Sequence, residues 1–205
     1  MTDWLGNKAS AFSMTGVNYQ TKKESEDREH RDYYATEPRA VRLLMEKWNL
    51  QKDTLIWECA CGEGHLAKEL ENMGYPVFCS DIIDRGYQYQ LAEIDFLNFQ
   101  ICLAPCILTN PPYRYVTEFI LHSLELLPEH GYCAMLLNIC QLSGKARFRQ
   151  IYKNNPPKMV YVFTGRIQCA KNGDFGNKEN GAINYAWFIW QKGYKGNTII
   201  DWIES

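Results

Sequence analysis

The sequence has no long apolar run and no leader-like start. None of its apolar stretches approaches the roughly 18 to 20 residues that a membrane-spanning helix requires. Its first residues, MTDWLGNKAS, lack the basic stretch followed by an apolar one that marks a secretion signal. These absences argue against a membrane protein and against a secreted one, so we expect a cytoplasmic protein.

The sequence also lacks the spacing of cysteine and histidine residues that is typical of metal sites. Among eight cysteines the closest pair is Cys59-x-Cys61, and the sequence has no CxxC and no HxxxH that would complete a zinc site. Six cysteines lie in or beside apolar runs, where cysteine behaves as a small hydrophobic residue. These six are Cys59, Cys79, Cys102, Cys106, Cys133 and Cys140. We expect reduced, structural thiols and no metal.

Net charge is small, but it is unevenly distributed. A formal charge of −2 does not by itself indicate a nucleic-acid-binding protein. Residues 144–205, however, contain ten Lys or Arg and four Asp or Glu. A basic face that meets phosphates fits this asymmetry, and so does ordinary solvated surface.

What the sequence does have is a regular alternation of apolar segments. With 205 residues, 46% of them apolar and 22% charged, it is long enough for one globular domain. Residues 1–30 are polar and weakly periodic, which predicts an N-terminal arm ahead of a single domain at 31–205. TEPRAVRLLMEKW predicts a helix capped by Thr36, and HLAKELENMG and EFILHSLELL predict two more. Strands are predicted at TLIWECA, PVFCSD, CILTN, YCAMLLNI, KMVYVFTG and INYAWFIWQ, with TIIDWI as an added edge strand.

This order of elements predicts the fold class. Strands that alternate with helices favour an α/β protein with an open, doubly wound, mainly parallel sheet. The last two long strands are joined by a loop with no room for a helix. They should therefore form an antiparallel hairpin.

A glycine turn joins the first predicted strand to the helix that follows it. In ECACGEG, Gly62 and Gly64 allow a sharp turn and a close approach by a ligand, and the helix N-terminus offers free N–H groups. Asp81 ends the next strand, where a carboxylate is placed to accept hydrogen bonds from ribose hydroxyls. The pattern indicates a nucleoside-containing cofactor. It leaves the identity open, because Gly62-x-Gly64-x-x-Ala67 also fits the dinucleotide fingerprint.

The sequence Asn110-Pro111-Pro112-Tyr113 directly follows the buried strand CILT. The prolines fix the backbone and remove two donors, so the local carbonyls remain as acceptors. The Asn110 side-chain oxygen and the Pro111 carbonyl together suit an NH2 group, and Tyr113 offers a flat face to a planar ring. The tetrapeptide therefore predicts a site for an amino group on a conjugated base.

In these motifs the sequence resembles the class I S-adenosylmethionine-dependent methyltransferases, over roughly residues 33–191. ECACGEG, SDI, DF and NPPY are similar to the motifs of the N6-adenine DNA methyltransferases, in the compact form carried by phages and prophages. The resemblance implies a Rossmann-like fold, S-adenosylmethionine as cofactor and direct methyl transfer to a flipped-out adenine in DNA.

The resemblance also implies roles for individual residues. Asn110, Pro111, Pro112 and Tyr113 would be the catalytic residues. Cofactor contacts would come from Tyr34, Thr36, Glu58, Cys59, Gly62, Gly64, Asp81, Ile82, Asp95 and Phe96. Nucleic-acid contacts are expected at Lys145, Arg147, Arg149, Arg166 and Lys171.

One departure from the family pattern leaves the target open. Most sequence-specific members carry a sizeable target-recognition domain, and only the short segments 141–157 and 171–181 are available here. An RNA base or a protein glutamine is the alternative target. More distant alternatives are a nicotinamide-dependent dehydrogenase, which would leave the NPPY sequence unexplained, and an inactive cofactor-binding module.

Overall fold

A computed structural model describes residues 34–91, 94–171, 175 and 183–205. The predicted arm at residues 1–30 lies outside these ranges, and the extent of the domain at 31–205 stays a prediction. No helix in the described ranges is long and apolar enough to cross a membrane.

The described residues contain ten strands and a small number of helices. The strands are β1 (Tyr34–Thr36), β2 (Ile56–Glu58), β3 (Val77–Ser80), β4 (Gln90–Leu91), β5 (Cys106–Thr109), β6 (Tyr132–Asn138), β7 (Met159–Phe163), β8 (Cys169–Lys171), β9 (Tyr185–Gln191) and β10 (Ile199–Ile203). The α-helices are α1 (Arg39–Lys47), α2 (His65–Asn72), α3 (Val116–Leu126) and the short α4 (Lys145–Arg147). Short 3-10 turns span Phe96–Asn98, Tyr113–Tyr115 and Ile139–Leu142, and a π-helical turn spans Phe148–Tyr152.

Eight of these strands form one sheet in the order β10-β7-β9-β6-β5-β2-β3-β4. Strand β9 runs antiparallel to both of its neighbours, β6 and β7, and the remaining pairs are parallel. This confirms the predicted doubly wound, mainly parallel sheet with a late antiparallel hairpin, and it confirms TIIDWI as an edge strand. Strands β1 and β8 pair antiparallel as a separate ribbon.

The central strands are buried on both faces because helices cover the sheet on each side. On one face, Leu44 of α1 and Leu70 of α2 pack in one apolar cluster. On the other, Phe119 of α3 and Ile151 of the π-helical turn pack in a second cluster. A strand such as β6, whose five interior residues are all apolar, is therefore stable in the middle of the sheet, since these residues are buried on both faces.

Two local expectations are wrong. Thr36 does not cap a helix: it ends β1, and α1 begins after Pro38 with no side-chain cap. The Cys102 and Cys140 thiols are exposed, because both lie just outside the strands they flank.

The strand order creates a switch point between β2 and β5, at the carboxyl ends of the parallel strands. From β2 the chain proceeds through β3 to β4 on one side, and then returns to β5 and β6 on the other. In open α/β sheets, ligands bind at such a switch point, outside the carboxyl ends of the strands. The glycine turn follows β2 and the NPPY sequence follows β5, so both predicted motifs lie at this position.

Candidate functional site

The turn after β2 requires glycine at two positions. Gly62 and Gly64 have φ values of 55° and 76°, in the left-handed region that side chains disfavour. Gly64 also directly precedes the first residue of α2. A Cβ at Gly64 would lie 2.7 Å from the ring of Tyr87, which is 4% exposed. The turn is thus held between the helix and a buried aromatic ring.

Asp81 ties this turn to the end of β3. Its Oδ2 accepts a hydrogen bond from the Gly62 N–H at 2.8 Å, and its Oδ1 accepts one from the Ile83 N–H at 3.0 Å. Each carboxylate oxygen has two lone pairs, so both retain acceptor capacity. The neighbouring Ile82 is 58% exposed and presents a free apolar surface. Ribose hydroxyls and a flat apolar group would find suitable partners here.

Glu58, the last residue of β2, is a buried carboxyl group. It is 2% exposed, and burial raises its pKa well above the usual range, with nearby Cys61 and Asp81 adding to the effect. The Ala67 backbone N–H in α2 opposes this by a hydrogen bond to the carboxyl group. Among the described residues, its Oε2 has no hydrogen-bond partner. One oxygen of this buried carboxyl group therefore keeps its full acceptor capacity.

Two predicted cofactor contacts have their side chains in the core. Phe96 is 2% exposed, and its ring packs 5.2 Å from that of Trp57. Cys59 is 2% exposed and belongs to the same apolar cluster. Asp95, which precedes Phe96, is partly exposed, and its Oδ1 accepts from the Leu97 N–H at 3.0 Å. Of these three positions, only Asp95 presents a side chain towards solvent.

Asn110 lies directly after β5, with its amide held from one side. Its Nδ2 donates to Thr36 Oγ1 at 2.9 Å and faces Cys169 Sγ at 3.9 Å. Its Oδ1 is buried, and no described residue donates a hydrogen bond to it. An unpaired buried acceptor costs free energy unless a ligand supplies the donor. Pro111 is buried behind it, and Pro112 is exposed.

Tyr113 presents one ring face outward and has the other covered. Its ring stacks on that of Tyr185, with centroids 6.5 Å apart and planes inclined by 21°. Tyr113 is 37% exposed, whereas Tyr185 is 5% exposed. Burial raises the pKa of Tyr113, and the neighbouring Cys169 and Tyr185 raise it further. The Tyr113 hydroxyl therefore stays neutral at physiological pH, and its ring offers a rigid stacking surface.

The predicted nucleic-acid contacts fall into two groups. Lys145 and Arg149 are exposed on the helical turns after β6, but the Arg147 guanidinium donates to carbonyl groups of the preceding turn. Arg166 is exposed just before β8, and Lys171 ends β8 with a side chain outside the described part. All five assignments stay predictions.

Sequence reasoning missed three residues of this site. Cys169 and Tyr185 pack behind the NPPY sequence, and Tyr87 covers the glycine turn. None of them belongs to a local motif, because each reaches the site through tertiary packing. Within the described ranges, no group of three or more His, Cys, Asp or Glu side chains is placed to hold a metal ion.

Comparison with known proteins identifies the fold. No protein-family model matches the sequence, and no curated protein matches it. Among solved structures, the chain is similar to a putative class I S-adenosylmethionine-dependent methyltransferase from Listeria monocytogenes, with a TM-score of 0.55 and 14% identity over 80% of this chain and 63% of that one.

Two further solved structures come from restriction-modification systems. One is a modification subunit of a putative type I restriction enzyme from Vibrio vulnificus, with a TM-score of 0.60 and 15% identity over 92% of this chain and 54% of that one. The other is the M protein of the type I restriction enzyme EcoKI, with a TM-score of 0.61 and 11% identity over 84% and 49%. The chain thus spans less than two thirds of each of these proteins. The fold is the Rossmann-like fold of class I methyltransferases.

Proposed function

We propose that this protein uses S-adenosylmethionine to methylate the N6 amino group of adenine in DNA. The observation that carries the proposal is the Asn110 amide: in the described part of the chain its buried Oδ1 has no hydrogen-bond partner, and its Nδ2 donates to Thr36. It lies at the carboxyl end of β5, beside the glycine turn that follows β2. An acceptor in that position suits an amino group on a planar base.

The residues around the glycine turn fit the proposed cofactor. The free Oε2 of Glu58 accepts a hydrogen bond from a donor group of the bound molecule. The remaining lone pairs of Asp81 suit the two ribose hydroxyls, and exposed Ile82 suits the face of the adenine ring. When bound, S-adenosylmethionine supplies a methyl group on a positively charged sulfur.

The NPPY residues act on the target amino group by positioning and electrostatics. Asn110 Oδ1 and the Pro111 carbonyl accept its two N–H bonds, which fixes the direction of the nitrogen lone pair. Two acceptors on the hydrogens also draw electron density towards the nitrogen and make it a better nucleophile. No strong base is required among the side chains, because the proton leaves a cationic product.

The shape of the site suits a base that has left its stack. A base inside a duplex cannot reach the carboxyl edge of a sheet, so it must be flipped out. The outward face of Tyr113, supported from behind by Tyr185, is the surface on which it stacks. Lys145 and Arg149, whose side chains are exposed, are the proposed phosphate contacts. The likeness to the two restriction-modification subunits favours DNA as the polymer.

The proposal is tested with methyl-labelled S-adenosylmethionine and three separate substrates: unmethylated duplex DNA, structured RNA and a protein extract. The expected product is N6-methyladenine in DNA, identified by mass after digestion. Asn110→Ala should lower the rate by roughly 10²- to 10³-fold, the usual loss for a group that acts in the transition state. Asn49→Ala, an exposed asparagine after α1, is the matched control and should retain full activity.

Other outcomes would change the proposal in defined ways. Label found only in RNA or protein would keep the chemistry and replace the target. Binding of a nicotinamide dinucleotide in preference to S-adenosylmethionine, measured by calorimetry, would overturn the assignment. Cofactor binding without transfer to any substrate would indicate an inactive binding module.

A further inference from the structure

Polar side chains behind the NPPY sequence hold the Asn110 amide. Asn110 Nδ2 donates to Thr36 Oγ1 at 2.9 Å and to Cys169 Sγ at 3.9 Å. The side chains of Tyr113 and Tyr185 also lie close enough to Cys169 to influence the pKa of its thiol. Asn110 and Tyr113, the two polar residues of the tetrapeptide, therefore both border the same buried thiol.

These two contacts determine which end of the Asn110 amide faces the site. Thr36 Oγ1 and Cys169 Sγ both accept from Nδ2, so the amide nitrogen is held against the β1–β8 ribbon. The amide is thereby oriented with Oδ1 free, which is the atom that a target amino group needs.

Thr36 and Cys169 are held opposite each other by backbone pairing. They are register partners at one end of the β1–β8 ribbon. Directly beyond them, the Glu37 N–H donates to the Gln168 carbonyl at 3.0 Å, and the Gln168 N–H donates to the Glu37 carboxylate at 3.1 Å. Thr36 is 3% exposed and Cys169 is 4% exposed. The acceptor that orients Asn110 is thus rigid and shielded from water.

We propose that Thr36 is a positioning residue for methyl transfer, because its hydroxyl oxygen accepts from Asn110 Nδ2 and so keeps the Asn110 amide oxygen directed at the target amino group. The inference rests on the proposed function and differs from the cofactor contact that the family resemblance implies for Thr36. A positioning role affects the rate of transfer, whereas a cofactor contact affects the affinity for S-adenosylmethionine.

The kinetic test compares Thr36→Val, which keeps the shape and removes the hydroxyl, with Thr36→Ser, which keeps the hydroxyl. Thr36→Val should lower kcat about 10- to 100-fold, the usual consequence of losing a buried hydrogen bond partner. Its cofactor dissociation constant, measured by calorimetry, should stay within about twofold of the wild type, and Thr36→Ser should restore most of kcat. Cys169→Ala should show a smaller loss of kcat, which Cys169→Ser recovers.

A second readout does not depend on activity. In a proton–nitrogen correlation spectrum of the free protein, the side-chain NH2 pair of Asn110 is identified by its disappearance in Asn110→Ala. One of its two protons should exchange slowly with solvent in the wild type and in Thr36→Ser. That protection should vanish in Thr36→Val and weaken in Cys169→Ala.

The two readouts separate failure of this inference from failure of the proposed function. Wild-type protein that transfers no methyl group but protects the Asn110 amide would reject the proposed function and retain the positioning of the amide. Thr36→Val with unchanged amide protection would overturn the inference. A weaker cofactor affinity with unchanged kcat would overturn it in favour of a cofactor contact. If Thr36→Val fails to fold, the Cys169 pair of variants decides between these outcomes.

Discussion

Replacing Gly64 by alanine should destabilise the protein through two separate effects. The backbone at Gly64 has a φ of 76°, and a side chain there costs about 1–2 kcal/mol. The added Cβ would also lie 2.7 Å from ring atoms of Tyr87. Tyr87 cannot move away freely, because it is buried and its hydroxyl donates to Glu71 Oε2 at 3.1 Å.

The clash should add about 1–3 kcal/mol, the usual cost of inserting a methyl group into a packed region. We therefore expect Gly64→Ala to lower the free energy of unfolding by about 2–5 kcal/mol. Gly74→Ala is the matched control: Gly74 has a φ of 84°, and its added Cβ would have nothing within 4 Å. That variant should show the backbone cost alone, about 1–2 kcal/mol.

Urea titrations of both variants measure these costs, with the wild type and Tyr87→Ala completing a double-mutant cycle. In the Gly64→Ala background, Tyr87→Ala should be less destabilising than in the wild type by about 1–3 kcal/mol, because it removes the clash. Calorimetry with S-adenosylmethionine should show weakened binding for Gly64→Ala and wild-type binding for Gly74→Ala. Equal destabilisation by the two alanines would refute the contact between Tyr87 and the glycine turn.

Three further changes test the rest of the site. Asp81→Asn should lower the free energy of unfolding, measured by urea titration, by about 1–3 kcal/mol and should weaken cofactor binding, because an NH2 group then faces one of the two backbone donors. Unchanged stability would contradict the role of Asp81 in the turn. Burial raises the pKa of Glu58, so ionising this group opposes folding. The free energy of unfolding of the wild type, relative to that of Glu58→Gln, should therefore fall as the pH rises above about 4.3, the ordinary pKa of glutamate. A stability difference that does not change between pH 4 and 8 would argue against that raised pKa. Replacing Lys145 and Arg149 together by alanine should weaken DNA binding and reduce the slope of its salt dependence by about 2. An unchanged slope would show that these residues do not contact phosphates.

The fold was predictable because each main strand carries its own signal. CIL and CAMLL, which form most of β5 and β6, are apolar throughout, as strands buried on both faces require. The turn residues between them mark where each strand ends, and the alternation with helices specifies parallel neighbours. These are local properties, and the sheet was confirmed as predicted.

The β1–β8 ribbon was not predictable in this way. Each strand has three residues, and their pairing joins Thr36 to Cys169 across most of the chain. From local sequence, Thr36 before Pro38 suggests a helix cap. Its hydroxyl instead accepts a hydrogen bond from Asn110, and Thr36 lies in a strand that pairs with a distant part of the chain.

The same division between local and non-local signals separates the two parts of the site. The glycine turn and NPPY are contiguous motifs at the carboxyl ends of neighbouring strands, so their sequence and their order place them at the crevice. The residues that orient them are scattered along the chain: Thr36 and Cys169 direct the Asn110 amide, and Tyr185 supports Tyr113. A motif search therefore finds the groups that would contact cofactor and base, whereas the residues that fix their orientation emerge only from packing. Chemistry that relies on positioning, with no metal and no strong base, depends on the second set as much as on the first.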